Sequence, residues 1–128
     1  MQYQLVVPDG AEAGLRLALE LLSDAGHPSF LSVLKRFGPG TPGPLSFPLQ
    51  GWTLAVDLAA RPGIASLLRR LDDLVVDHGG RIYLAKDSRA TPETIAKMYP
   101  GLDDFRRVRA EIDPDQLFRS DLSRRLEL

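Results

Sequence analysis

Alternating or β-rich residues mark four short segments of the chain, and apolar residues at helical spacing mark two longer ones. The short segments are residues 2–7 (QYQLVV), 30–37 (FLSVLKRF), 52–59 (WTLAVDLA) and 81–85 (RIYLA), a pattern typical of β-strands. The longer segments run from Gly10 to about Gly26 and over residues 63–78, where the period indicates amphipathic helices. The predicted order is therefore β-α-β-β-α-β.

Both helices have identifiable ends. For the first helix, Asp9 is the candidate N-cap, Glu12 follows three residues later, and Gly26 is the stop. The second helix ends at Gly79-Gly80. The apolar stripes that we expect to face the core are Leu15, Ala18, Leu19, Leu22 and Ala25 in the first helix, and Ile64, Leu67, Leu68, Leu71, Leu74 and Val75 in the second.

Shorter helical segments and one loop complete the pattern. Thr91-Pro92 predicts a helix start, because proline is favoured at the first helical position. A further helix is predicted from about Leu102 to Ile112, before Asp113-Pro114, and the C-terminal segment adds a helical turn. The segment GPGTPGPLSFP, residues 38–48, is too rich in glycine and proline for regular structure, and we expect a mobile connecting loop.

This order is that of an α+β, ferredoxin-like fold, in which an antiparallel sheet carries both helices on one face. The predicted core face consists of Tyr3, Leu5, Val7, Trp52, Leu54, Val56, Ile82 and Leu84. The opposite face consists of Gln2, Gln4, Thr53, Ala55, Asp57, Arg81 and Tyr83, and we expect no helix to cover it. The parity of the second strand is ambiguous, and we place Lys35 and Phe37 on this open face.

The open face has two interpretations. Antiparallel sheets routinely expose one polar face to solvent. Alternatively, amides, a lysine and aromatic rings beside a loop form a platform that orients a polar ligand. The pattern alone does not choose between them.

Composition narrows the class of protein. The 128 residues correspond to one domain, and 44% hydrophobic with 26% charged residues predicts a globular chain. A net charge of −1 disfavours a nucleic-acid partner. Cysteine is absent, no segment approaches the length of a membrane-spanning helix, and the first residues lack a signal-peptide pattern. We therefore expect a cytoplasmic location without a membrane-spanning segment.

Several segments together carry a resemblance to a known family. They are GGRIYLAKDSRATPETIAKMYP, FLSVLKRFG, PLSFPLQGWTLAVD and DPDQLFRSDLSRRLEL. The chain resembles, over essentially its whole length, the C-terminal substrate (cap) domain of the FAD-dependent decaprenylphosphoryl-ribose oxidase family. That family belongs with the aldonolactone oxidases among the vanillyl-alcohol-oxidase-type flavoproteins. The resemblance implies a single substrate domain over residues 1–128, with the FAD-binding domain absent from this chain.

The resemblance also implies roles for individual residues. The lysine matching Lys86 reaches the flavin and the substrate, where a fixed ammonium stabilises the negative charge that develops when flavin accepts a hydride. Lys86 is accordingly the catalytic and cofactor-binding candidate, with Tyr83 beside it. The substrate-binding candidates are Gln4, Lys35, Phe37, Thr53 and Tyr83. Relatives often have asparagine in place of Thr53 and cysteine in place of Ala55, so contacts there are open.

The implied partners are the FAD-binding domain of the same parent protein and a small sugar or sugar-lipid substrate. If the parent is half of an epimerase, a separate reductase returns the hydride. The substrate remains open between a polyprenylphosphoryl-ribose, other sugars and aldonolactones.

Other motifs favour structural interpretations. His27 and His78 fall at predicted helix ends without a second ligand at metal spacing, so no metal site is predicted. Asp72-Asp73 and Asp103-Asp104 are expected on exposed helix faces, paired with neighbouring arginines.

Two alternative functions stay open. A free-standing ferredoxin-like module that binds a ligand or dimerises has the same strand order. An RNA-recognition module also shares it, but the glycine-and-aromatic block of such modules is missing here.

Overall fold

A computed structural model describes residues 1–27 and 29–128. The elements are β1 (Gln2–Pro8), α1 (Glu12–Asp24), β2 (Ser32–Phe37), β3 (Gly51–Asp57), α2 (Ile64–Asp77), β4 (Arg81–Ile82), a 3₁₀ turn (Leu84–Lys86), α3 (Pro92–Met98), α4 (Leu102–Ile112) and α5 (Asp121–Leu126). The strands form one antiparallel sheet in the order β2-β3-β1-β4. The predicted α+β class with an antiparallel sheet is confirmed.

The core lies between α1, α2 and one face of the sheet. The alternation in the strands predicts this face correctly at Tyr3, Leu5, Val7, Leu54, Val56 and Ile82, which are all buried, while Trp52 and Leu84 are partly buried. Most residues of the two helix stripes are buried or partly buried with them. The expectation that Leu19 faces the core is wrong, because its side chain is 42% exposed. The two helices approach closely where Gly14 on α1 meets His78 after α2. A Cβ on Gly14 would lie 2.6 Å from Cγ of His78, so only glycine fits there.

The short helices extend this core beyond β4. Ile95, Met98 and Leu126 are buried in the same cluster. The Tyr99 hydroxyl donates a hydrogen bond to the Ile82 carbonyl at 2.6 Å and ties the end of α3 to the sheet. The cap predicted for α3 is confirmed, because the Thr91 side chain accepts a bond from the amide of Thr94. No helix among residues 1–27 and 29–128 is long and apolar enough to cross a bilayer.

Several predicted element ends are wrong. The second strand begins at Ser32 and not at residue 30, and the third ends at Asp57 and not at residue 59. Asp9 does not cap α1, which begins at Glu12 after Ala11; the Asp9 carboxylate instead accepts bonds from Arg36 and Gln50. The fourth strand does not reach residue 85, because the chain leaves the ladder after Ile82 and turns over residues 84–86. The Lys86 amide donates to the Tyr83 carbonyl at 2.9 Å and closes this turn.

The expectation of an uncovered open face is also corrected. We call the sheet face directed away from α1 and α2 the outer face. The segment 38–50, which we call the cover loop, folds back over half of it. Phe47 in this loop is only 6% exposed, and beneath it Val6 and Thr53 are 0% and 1% exposed. Gly101 admits this packing, because a Cβ there would lie 2.7 Å from the Pro44 carbonyl oxygen.

Candidate functional site

The uncovered half of the outer face lies at the end of β4. The Tyr83 amide donates to the Gln4 carbonyl at 2.9 Å, which places these two residues side by side on the outer face. Gln4 lies opposite Ala55 on β3. Gln4, Ala55 and Tyr83 are all half-buried. This end of the face is therefore open to a ligand or to another surface.

The boundary between the covered and uncovered halves is a row of three aromatic rings. Phe47 stacks on Tyr83 with centroids 4.7 Å apart and an interplanar angle of 23°. Its other side meets Phe37 edge to face at 5.7 Å. Arg81 holds the loop in place by donating to the Ser46 carbonyl at 2.9 Å. Phe47 thereby forms an apolar wall beside the open half.

Lys86 stands at the edge of this wall. Its Nζ lies 6.0 Å from the centroid of the Tyr83 ring, at the outer limit of a cation–π contact. The side chain is half-buried, and within residues 1–27 and 29–128 its ammonium makes no ion pair or hydrogen bond. An ammonium placed in this way retains its donors for a ligand.

The residues after Lys86 anchor the turn that carries it. The Asp87 carboxylate accepts bonds from the amides of Arg89 and Ala90 at 3.1 and 2.9 Å. Such an Asx-type turn holds the backbone without help from regular structure. The second carboxylate oxygen of Asp87 accepts from Arg125 at 2.8 Å. Asp87 is therefore a structural residue, and Lys86 is the side chain that the turn presents.

Arg89 anchors the same segment to the core. It forms a two-pronged ion pair with Asp72, at 2.6 and 2.8 Å, and Tyr3 donates a further bond to this carboxylate at 3.0 Å. The expectation that Asp72 is exposed is wrong, since it is 3% exposed. The sequence pattern misplaces Asp72 because its partner lies 17 residues away along the chain.

Burial affects the titration of this group of side chains. Burial raises the pKa of the Asp72 carboxyl, while the bonds from Arg89 and Tyr3 oppose that rise. Burial, together with the charge of Asp72, raises the pKa of the Tyr3 hydroxyl well above its ordinary value. Tyr3 therefore remains a neutral hydrogen-bond donor at physiological pH.

The structure brings together only part of the candidate site. Gln4, Tyr83 and Lys86 converge at the uncovered half of the outer face. Thr53 is on the same face but is buried under Phe47. Its hydroxyl donates to the Leu5 carbonyl at 2.7 Å and accepts from the Gln4 side chain at 3.0 Å. Thr53 therefore orients Gln4.

The two candidates on β2 lie farther from Lys86. Lys35 is paired opposite Thr53, and Phe37 opposite Gly51, so the predicted placement of both on the outer face is confirmed. Strands are spaced by about 4.8 Å, so β2 lies roughly 14 Å across the sheet from β4. Lys35 is exposed, and Phe37 is half-buried against Phe47.

Sequence reasoning missed three residues of this region: Phe47, Asp87 and Arg125. A lone aromatic residue in a segment of glycine and proline is a signal that could have identified Phe47 as an anchor. Aspartate at a strand end is a frequent turn residue, which could have identified Asp87. Arg125 carries no local signal, because its partners lie 35 and 38 residues earlier.

A cavity of about 590 Å³ lies elsewhere, between α4 and the C-terminal segment. Its walls are mainly apolar, including Phe105, Ile112 and Phe118, and its Arg109 already bonds to the Phe118 and Leu128 carbonyls. The second arginine of its lining, Arg119, donates to the Gln116 side chain at 2.8 Å. Within the described ranges, 1–27 and 29–128, no group of three or more potential metal ligands occurs.

Comparison with known proteins gives consistent matches. The family described as D-arabinono-1,4-lactone oxidase matches residues 57–126. The decaprenylphosphoryl-beta-D-ribose oxidase of Mycolicibacterium smegmatis is 46% identical over 128 residues, which cover 100% of this chain and 28% of that protein. The resemblance expected from the sequence is confirmed.

Two further relatives extend the comparison. An uncharacterised protein of Streptomyces coelicolor is 49% identical over 127 residues, 98% of this chain and 35% of its own length. An L-gulono-1,4-lactone dehydrogenase of Mycobacterium tuberculosis is 29% identical over 128 residues, 98% of this chain and 30% of its own length. This chain thus spans between 28% and 35% of the curated relatives it matches.

Proposed function

The chain belongs to the D-arabinono-1,4-lactone oxidase family, and from this premise we propose that it is the substrate-binding domain of a longer FAD-dependent oxidoreductase. Its outer face contributes Lys86 to the reaction, and an FAD-binding domain of the same parent protein contributes the cofactor. The observation that carries the proposal is the Lys86 ammonium beside Tyr83 and Gln4, on the half of the sheet face that the cover loop leaves open.

We propose that the fold is ferredoxin-like. The strand order β2-β3-β1-β4, the antiparallel pairing, and the two helices that follow β1 and β3 support this assignment. In such a fold the outer face is available for a ligand or a second domain, because no helix connects across it.

The residues of the open half suit a flavin and a sugar. Tyr83 supplies an aromatic surface, and Lys86 supplies a positive charge that has no ion pair or hydrogen bond in the part of the chain that the structure describes. Gln4 supplies an amide, whose NH₂ group is oriented by Thr53. A few polar groups next to an aromatic wall are the usual composition of a site for a polar substrate.

FAD, when bound, would supply the hydride acceptor for oxidation of a sugar carbinol, while the hydroxyl proton would pass to a base outside this chain; Lys86 and Tyr83 would lie on the flavin side of the site. Lys86 would hold a positive charge near the flavin, in a position that the turn over residues 84–90 fixes in advance. Gln4 and Tyr83 bind and orient the sugar by hydrogen bonding and ring contact. Lys35 and Phe37 contact more distant parts of the substrate along β2.

The proposed substrate class is a sugar with an oxidisable hydroxyl, such as a polyprenylphosphoryl-ribose or an aldonolactone. This choice rests on the relatives named as a decaprenylphosphoryl-ribose oxidase and an L-gulono-1,4-lactone dehydrogenase. In an enzyme of the epimerase type, a separate reductase would complete the reaction after the oxidation.

The test uses the longer protein that contains this chain. We expect it to purify with a flavin spectrum and to oxidise a sugar of this class, whereas the 128-residue chain alone binds FAD weakly. Lys86→Met should lower kcat/KM by about 10² to 10³, the usual cost of removing a group that stabilises transition-state charge. It should also lower the flavin midpoint potential, a readout that does not depend on turnover.

Lys97→Met is the matched control, because Lys97 is an exposed lysine on α3. It should leave both the rate and the potential unchanged. A longer protein that neither contains nor takes up flavin would refute the proposal. So would a Lys86→Met variant with the activity and the potential of the unaltered protein.

A further inference from the structure

We propose that Arg125 is a positioning residue for Lys86: from the last turn of α5 it fixes the turn that presents the ammonium. The relevance of this role to catalysis rests on the proposed function above. The geometric part, that Arg125 determines where Lys86 stands, can be tested on this chain alone.

Arg125 makes three hydrogen bonds to the segment that follows Lys86. Its guanidinium donates to the Ala90 carbonyl at 2.5 Å, to the Asp87 carboxylate at 2.8 Å and to the Asp87 carbonyl at 3.4 Å. The Asp87 side chain is 3% exposed and that of Arg125 is 28% exposed. A planar guanidinium can reach these acceptors together, whereas a single ammonium cannot.

The turn needs such support. Lys86 is the last residue of a three-residue 3₁₀ turn, and 3₁₀ segments of this length have poor hydrogen-bond geometry of their own. β4, which precedes the turn, pairs through Arg81 and Ile82, and the Tyr83 amide adds one bond to the Gln4 carbonyl. On the C-terminal side of Lys86 the position of the turn depends on Asp87, which is bonded to Arg125.

Helix α5, which carries Arg125, is itself fixed to the rest of the protein. A capping box joins Ser120 and Ser123 at the start of α5. Leu126, next to Arg125 in the chain, is 0% exposed and lies in the core. Because one side of α5 is buried in this way, Arg125 transmits a fixed position from the core to the turn.

Arg125 and Arg89 bind different parts of the segment that follows Lys86. Arg89 ties the far end of the segment to Asp72 and Tyr3 in the core, so its loss should mainly unfold the protein. Arg125 contacts the residue directly after Lys86. Arg124 provides the matched control, because within residues 1–27 and 29–128 it pairs only with Asp121 on its own helix, and it is exposed.

The first measurement follows the lysines of this chain in solution. The sequence contains three, Lys35, Lys86 and Lys97, so reductive methylation with ¹³C gives three resolvable dimethyl-lysine signals that Lys→Arg variants assign. We expect Arg125→Ala to move the Lys86 signal to the position of an unstructured dimethyl-lysine and to leave those of Lys35 and Lys97 unchanged. Amide exchange at residues 87–90 should accelerate at least about tenfold, because these hydrogen bonds open locally.

Arg125→Lys should give an intermediate effect, because it retains the charge but not the planar fork. Arg124→Ala should match the unaltered chain. If Arg125→Ala fails to fold, Arg125→Lys decides the question. A Lys86 signal and amide exchange that stay unchanged in a folded Arg125 variant would overturn the inference.

The second measurement uses the flavin-loaded longer protein. Arg125→Ala should lower kcat by about tenfold to a hundredfold with little change in KM, since a misplacement of about 1 Å can have this effect. In a Lys86→Ala background the same substitution should add little further loss, because Arg125 acts through Lys86. Losses that multiply in the double variant would refute the positioning role.

The two measurements separate this inference from the proposed function. A longer protein without flavin would refute the proposed function. The lysine signals of the 128-residue chain would still show whether Arg125 fixes the position of Lys86. A Lys86 signal that depends on Arg125, together with an active Lys86→Met enzyme, would uphold the placement and refute its catalytic use.

Discussion

The two halves of the outer sheet face both contain polar residues but have different environments. Thr53, in the half under the cover loop, is 1% exposed, and its hydroxyl bonds inside the protein. Gln4 and Tyr83, in the other half, are half-buried beside an ammonium that has no partner within residues 1–27 and 29–128. The comparison shows that a polar residue on a sheet face is available to a ligand only where the rest of the chain leaves it uncovered.

The largest loss of stability should come from removing Phe47, the residue that separates the covered and uncovered halves of the outer face. Phe47→Ala deletes a ring that is 6% exposed and packed between Phe37 and Tyr83, so we expect a loss of about 3 kcal/mol in the free energy of unfolding. Urea denaturation measures it. Phe118→Ala is the control, because Phe118 is 82% exposed and should cost little. Equal losses in the two variants would contradict the assignment of Phe47 as the anchor.

A smaller effect should follow from removing the buried hydroxyl of the covered half. Thr53→Val keeps the shape but removes the hydrogen bonds that the hydroxyl makes with the Leu5 carbonyl and the Gln4 side chain, at a cost of about 1 kcal/mol. Thr53→Ser retains the hydroxyl and serves as the comparison. Should the valine variant prove as stable as the serine variant, the hydroxyl is not a structural group.

Low pH should weaken the hydrogen bonds that Asp9 accepts from Arg36 on β2 and from Gln50 at the end of the cover loop. Hydrogen bonds from Arg36 and Gln50 hold the pKa of the Asp9 carboxyl below its ordinary value of 3.8. Since the unfolded chain binds the proton more readily, this contribution to stability is present above pH 3.8 and is lost as the pH falls through the lower pKa of the folded state. Denaturation at several pH values should show a shallower acid decline in Asp9→Asn than in the unaltered chain. An identical decline would exclude this role.

The smallest effect on stability should come from the uncovered half. Lys86→Met removes an ammonium that has no ion pair within the described ranges, so the free energy of unfolding should change by no more than about 0.5 kcal/mol. Thermal unfolding of the 128-residue chain measures it. A loss comparable with that of Phe47→Ala would mean that Lys86 supports the fold and is not held for a ligand.

Local patterning predicted most of the architecture. Period-two alternation identified the core residues of β1 and β3, and helical spacing identified α1 and α2, because these signals depend only on which side of an element a residue faces. The segment Thr91-Pro92 likewise predicted the start of α3 from backbone chemistry. Of the proposed site, Gln4 and Tyr83 were predicted on the open face by alternation, and Lys86 was predicted by the family resemblance.

Contacts between distant parts of the chain could not be predicted from those local patterns. Phe47 covers Thr53 because the cover loop folds back onto the sheet, and Asp72 is buried because Arg89 reaches it from a distant segment. Arg125 bonds to Asp87 over 38 residues. Residue type and period specify the direction of a side chain relative to its own element, whereas the neighbour that it meets depends on the packing of the whole chain.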